Sequence, residues 1–280
     1  MKNCRICSLY SGSRGNSVFI SAGGAKILID AGKSAKSLCL ALKEINVDIT
    51  EIDAIFITHE HKDHTSALQT LSHKHSIPIY MLLSSARIFD GLNDQKLCEC
   101  LMLQTNNEFE VTVKDLTVKA FPTPHDSLGS VGFRLTFSDD AGNKQSIGYA
   151  TDLGYVTDCI KENMTGCFAI VIESNHNVEM LKKSSYPIEL KERIFSKYGH
   201  LSNSDCADLA GYLFENGTKN FMLMHLSQEN NTPSLAYDEI FNAIASNDIN
   251  LRISEQDRPV WLVDGHAQNS ANNSEDVWRP

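Results

Sequence analysis

Residues 57–65 read ITHEHKDHT and begin on the last residue of the apolar run AIFI at 54–57. His59, His61, Asp63 and His64 thus crowd into six positions at the end of a strand of buried type. Imidazoles and carboxylates at this density are unfavourable unless something binds them. This stretch therefore constrains the fold strongly: the strand must deliver its loop to a place where further ligands converge. Along an extended loop alternate side chains point the same way. His59 and His61 then share a side, while Asp63 and His64 turn to a neighbouring point. That spacing suits two metal ions a few ångströms apart.

A catalytic ion needs about four ligands, with one position left open. Three more candidates stand just past apolar strands: His125 after LTVKAF, Asp152 after SIGYA and His225 after NFMLM. One ion would take His59, His61 and His125, and the other Asp63, His64 and His225. Asp152 and a water would bridge them. Ligation by nitrogen and oxygen alone suits Zn²⁺, Mn²⁺ or Fe²⁺. Two divalent ions on one water make a hydroxide nucleophile near neutral pH, so the expected chemistry is hydrolysis.

The rest of the chain reads as one mixed α/β domain over residues 1–266. Strand-like runs (ICSLY, SVFIS, AKILID, IPIYM, GSVGFRLTFS, CFAIVIES) alternate with helical patterns at about 35–45, 65–75, 187–198, 203–215 and 233–246. AKILIDAG is echoed by SIGYATDLG, and AIFITHEHKDH by AIVIESNHN, which suggests two related halves. Residues 267–280 read as a polar, disordered tail. No apolar run approaches a membrane span, and the first residues lack a signal-peptide core, so a cytoplasmic location is expected. The eight cysteines fit reduced thiols, and Cys4-x-x-Cys7 has no second pair to complete a zinc ribbon. The net charge of −10 weighs against a nucleic-acid partner.

The ligand motifs resemble the metallo-β-lactamase superfamily. Asp30, the HEHKDH run, His125, Asp152 and His225 match its five motifs in order. The resemblance implies an α/β, four-layer αβ/βα sandwich with two metals at one edge. It also implies that Asp30 orients the metal loop rather than binding metal. His61 stands where the redox diiron branch has a glutamate. The lactamase cysteine ligand is missing, and the segment between Asp152 and His225 is too short for the large insert of the β-CASP nucleases.

By resemblance to the phosphodiester-cleaving branch, His200 in KYGHLSNSD is a general acid with Glu173 as its partner, and His176 is a substrate contact. The linked segments SLYSGSRGNSVFI, PTPHDSLGSVGF, ESNHN, YPIELKERIFSKYGHLSN and HLSQENNTP are similar to the YycJ (WalJ, VicX) family, which implies a 5′-to-3′ exonuclease on double-stranded DNA. An RNA-processing endonuclease, a small-molecule phosphodiesterase and a regulator that merely retains the site stay open. Ser13, Arg14 and Asn16 in SGSRGN suit either a tight turn or an anion nest. Lys182, Lys183, Lys191, Arg193 and Lys197 form a basic strip beside the site or a charged helix face. His73, His75 and His266 read as solvated.

Overall fold

A computed structural model describes residues 4–88 and 90–265. The tail at 267–280 and His266 lie outside the described residues. The first half contributes β1 (Arg5–Tyr10), β2 (Ser17–Ala22), β3 (Ala25–Ile29), α1 (Ala35–Glu44), β4 (Ala54–Phe56), α2 (Lys62–Thr65) and α3 (Leu68–His75). It continues with β5 (Ile79–Leu82), α4 (Leu83–Ala86), α5 (Gln95–Cys100) and β6 (Leu101–Gln104). The second half holds β7 (Glu110–Val113), β8 (Leu116–Pro122), β9 (Val131–Ser138), β10 (Lys144–Ala150), α6 (Asp158–Met164) and β11 (Ala169–Glu173). It ends with α7 (Val178–Lys183), α8 (Ile188–Phe195), α9 (Asn203–Glu215), β12 (Asn220–Met224), α10 (Pro233–Ile244), β13 (Asn250–Ile253) and β14 (Val260–Asp264).

The strands form two seven-stranded sheets, ordered β14-β1-β2-β3-β4-β5-β6 and β13-β12-β11-β10-β9-β8-β7. Each sheet starts as an antiparallel meander and turns parallel at the same point, β3 to β4 in one and β10 to β11 in the other. The echoed segments fall on these equivalent strands. Period-two alternation builds the layers. In β3, Ile27 and Ile29 enter the core between the sheets, while Leu28 packs outward under helices. α1 and α3 cover the first sheet, and α6, α9 and α10 cover the second. The result is the four-layer sandwich. Among the described residues, no helix is long and apolar enough to cross a membrane.

Cys4 and Cys7 fall into different cores on opposite sides of the first sheet, and burial pushes both thiols up to about 12. Three residues apart along extended chain, they cannot share a ligand. Two helical readings need correction. The expected helix at 65–75 is split, because α2 begins already at Lys62 with His61 as its N-cap residue. Asp63 and His64 therefore sit on a helical turn, not on an extended loop of alternating side chains. The helix at 187–198 ends at Phe195, where the chain folds back through Gly199 N–H to Ser196 O and His200 N–H to Ile194 O. No clear pattern in the sequence marks α4, α5, β6, β7, β13 and β14, which are short and lie mostly at sheet edges.

The two halves use the same device to fix their functional loops. Two residues after Asp30, Gly32 presses against the Asp63 carbonyl and Asn16 N. Two residues after Asp152, Gly154 presses against the Lys197 carbonyl and Tyr198 N. A Cβ at either place would overlap backbone, which cannot move aside as a flexible side chain can. Gly32→Ala is expected to lower the unfolding free energy by about 3 kcal/mol, the upper range for overpacking. An unchanged urea midpoint would show that the two loops separate freely.

Candidate metal centre

Every candidate ligand stands at one edge of the sandwich, past the C-terminal ends of strands. Asp30 follows β3, His59 lies beyond β4, His125 beyond β8, Asp152 beyond β10 and His225 directly after β12. Glu173 is the last residue of β11. Asp30, Asp152 and His225 have φ of 63°, 58° and 60°. Left-handed backbone is unfavourable for residues with a Cβ and persists where the surroundings enforce it. Here it turns the side chain inward at the strand end.

The metal loop is docked by its backbone. Asn16 N–H donates to Asp63 O at 2.7 Å and Ala31 N–H to His64 O at 2.8 Å. His59, His61 and His125 offer nitrogen atoms within 4.8 Å of one another, as do the ligand atoms of Asp63, His64 and His225. These are the two triads expected from the sequence. Asp152 lies between them, with Oδ2 3.4 Å from His64 Nε2 and Oδ1 3.9 Å from His125 Nε2.

Carboxylates behind the histidines fix which nitrogen faces the centre. Asp30 is fully buried, accepts from Thr58 N–H and Oγ1–H, and lies 2.8 Å from His64 Nδ1. Glu173 Oε1 is 2.8 Å from both His225 Nδ1 and His200 Nδ1, while its Oε2 accepts from Leu153 N–H and Leu201 N–H. His125 Nδ1 faces the Gly199 carbonyl at 3.3 Å. Such partners hold a ligand's tautomer and ring orientation. Thr58, Ser11 and Asn175 also belong to this shell. Ser11 Oγ accepts from His225 N–H, and Asn175 Nδ2 donates to His225 O. No motif marks them, because their partners lie up to 214 residues away.

The centre is electrostatically polarised. Burial alone would push His64 and His225 down. Asp30 and Asp152 instead hold His64 well above its ordinary value, and Asp152, Asp63 and Glu173 do the same for His225. Burial and neighbouring imidazoles push His59 well down. Burial would raise Asp63, yet His225 and His64 hold it below the usual carboxylate range.

The remaining candidates fall in other surroundings. Ser13 and Arg14 are exposed at the tip of a turn closed by Gly15 N–H to Gly12 O. Asn16, read as a substrate contact, is fully buried. Its amide contacts Gly12 O, Asp63 Oδ2 and His64 Nε2, so it braces the metal loop. His176 is buried edge-on to Phe195, and burial pushes it down to about 4. Both its ring nitrogens are buried and find no hydrogen-bond partner among the described residues.

The residues fit divalent metal. His125 Nε2, Asp152 Oδ2 and His225 Nε2 are buried and have no hydrogen-bond partner among the described residues. An unsatisfied buried polar atom costs about 1–3 kcal/mol, and here all three converge on one space. Metal ligation accounts for them together.

A β-lactamase superfamily domain model matches residues 25–226, which spans the Asp30, HEHKDH, His125, Asp152 and His225 positions. The chain belongs to the metallo-β-lactamase superfamily. It is 34% identical over 249 residues to the exodeoxyribonuclease WalJ of Streptococcus pneumoniae, covering 88% of this chain and 90% of that one. It is 32% identical over 228 residues to the exodeoxyribonuclease YycJ of Bacillus anthracis, covering 81% of this chain and 84% of that one. Among solved structures, the metallo-β-lactamase fold protein YhfI of Bacillus subtilis superposes with a TM-score of 0.64 at 15% identity, covering 92% of this chain and 99% of that one. The fold and divalent-metal chemistry expected from the sequence therefore hold.

Asp30 gives a direct check on the outer carboxylates. Asp30→Asn keeps the shape and tolerates the left-handed backbone, but it removes the charge that holds His64. Metal affinity is expected to fall about 10- to 100-fold, with activity recovering as metal is raised. Unaltered affinity in a metal titration would mean that His64 needs no anchor.

Proposed function

We propose that this protein is a metal-dependent nuclease that removes nucleotides from the 5′ end of double-stranded DNA. The reading draws support from the two exodeoxyribonuclease relatives. The observation that carries it is the Glu173–His200 pair. Glu173 holds His200 through Nδ1 at 2.8 Å. The His200 side chain is 21% exposed beside the ligands, and its Nε2 bonds to no protein group among the described residues. Burial alone would lower the His200 pKa, but the Glu173 charge outweighs it and raises the value. An imidazole held in this way beside the centre can donate a proton to a leaving oxygen. A phosphodiester needs one, because its alkoxide leaving group is strongly basic, whereas a thioester releases a thiolate that leaves without it.

His59, His61 and His125 would hold one divalent ion, Asp63, His64 and His225 a second, with Asp152 between them. Zn²⁺ and Mn²⁺ both suit this donor set. Bound there, such ions neutralise phosphate charge and lower the pKa of a water. Asp63, ionised and partly open to solvent, would accept a proton from an attacking water. His200 Nε2–H delivers a proton to the departing oxygen. Glu173 keeps the His200 ring aligned and stabilises its charged form. Ser13 and Arg14, exposed on the turn that leads to Asn16, would meet an incoming phosphate.

The test is incubation of the purified protein with 5′-labelled duplex DNA, single-stranded DNA and a structured RNA, with Mn²⁺ or Zn²⁺ added in turn. An Asp63→Ala control excludes a contaminant. Mononucleotide release from duplex DNA, lost in the control, is the expected result. Cleavage of RNA alone would replace this reading with an RNA-processing one.

A further inference from the structure

Three exposed aromatic side chains lie on the segments that carry the site. Tyr155 comes three residues after Asp152, and Tyr198 two before His200. Gly154 packs against the backbone of Lys197 and Tyr198, so Tyr155 and Tyr198 leave adjoining stretches of chain. Phe195 ends α8, with its ring 5.4 Å from that of buried His176. Tyr155 and Phe195 are each 45% exposed and Tyr198 is 60% exposed. α8 itself buries no residue. It is tied down by Arg193 Nε to Asp126 Oδ2 at 2.6 Å and by Lys191 Nζ to the Lys182 and Ser184 carbonyls.

Those ties dispose of most of the basic strip. Arg193 is paired with Asp126, Lys191 is held by carbonyls, and Lys182 and Lys183 lie against Glu179. Of the five cations, Lys197 is the one without a partner among the described residues. The chain as a whole carries a charge of −10. A phosphate-only grip on a polyanion would therefore be thin. Stacking needs no positive charge. Every base has a π-face, and base–aromatic stacking is worth about 1–3 kcal/mol per base.

We propose that Tyr155, Phe195 and Tyr198 form a stacking platform for unpaired bases of the strand entering the metal centre, so that the site takes a single-stranded or frayed end. The inference rests on the nuclease reading. The continuity of the rings with the Asp152 and His200 segments selects nucleic-acid bases over a docked protein. A duplex end would then be processed through the strand that frays from it.

The test compares the metal-loaded protein on two single-stranded oligonucleotides of equal length, one of them abasic at its terminal nucleotides. Both carry the same phosphate charge. The base-bearing strand should be cleaved with a kcat/KM about 5- to 150-fold higher, the factor equivalent to one stacked base. Tyr155→Ala/Tyr198→Ala should erase that difference with metal content per chain unchanged. A duplex with a mismatched end should be cut faster than a fully paired one. Equal rates on the two single strands overturn the platform and leave the nuclease reading intact, and this comparison needs no variant. Discrimination retained in the double variant overturns the choice of rings. Cleavage of duplex DNA with neither single strand cut overturns the platform and leaves the nuclease reading intact, whereas failure on duplex and single strands alike overturns the nuclease reading and the platform with it.

Discussion

Asp152→Asn is expected to abolish activity and empty much of the metal centre, with little loss of fold. Asp152 is 2% exposed and reaches four histidines: His64, His125, His200 and His225. Its Oδ2 has no hydrogen-bond partner among the described residues. Asparagine preserves the volume and tolerates the φ of 58°, so the substitution isolates the charge. That charge is what allows imidazoles and divalent cations to gather in one buried place. Losing several kcal/mol of charge stabilisation corresponds to a drop of about 10³-fold or more in kcat/KM. Metal per chain, measured by atomic emission beside the rate, separates loss of ions from loss of chemistry. Full metal content with a rate within a few-fold of the unsubstituted protein would remove Asp152 from the centre.

His200→Ala is expected to lower kcat by about 10²–10⁴-fold, the range for a general acid, while metal content stays unchanged. The decisive comparison varies the leaving group. On DNA the departing oxygen needs a proton. On a p-nitrophenyl phosphodiester the departing phenolate does not, so the same substitution should cost far less. An equal loss on both substrates would make His200 a positioning residue or a ligand. Glu173→Gln should go further than His200→Ala. Glu173 also holds His225 Nδ1 at 2.8 Å, so metal binding and proton delivery weaken together.

The readings that succeeded from sequence share a physical character. A candidate ligand at a strand end is legible because an apolar run that stops abruptly at His or Asp leaves that group at a sheet edge, where a cation would make its burial favourable. The weak repeat was legible because equivalent strands in two halves face equivalent packing. The reading of Asp63 and His64 as part of an extended loop failed. Whether a polar loop is extended or helical depends on what docks against its backbone, here Asn16 and Ala31. The burial of Asn16 and His176 escaped the sequence for a related reason, since no local pattern reports burial for an isolated polar residue. The basic strip shows the same limit: its charges were visible, but their partners Asp126 and Glu179 were not.

Residue type, strand periodicity and motif order are local properties. They were enough for the hydrolytic class and the two-halved sandwich, and for naming candidate ligands that the fold brings to one edge. Which nitrogen each histidine presents is a matter of packing, through Asp30 behind His64 and Glu173 behind both His200 and His225. Packing also determines which cations remain free beside the centre, and that three aromatic rings stay uncovered there. Each depends on the distance between side chains remote in the chain, 27 residues apart for Glu173–His200 and 52 for Glu173–His225. Such distances exist only once the two sheets have packed together.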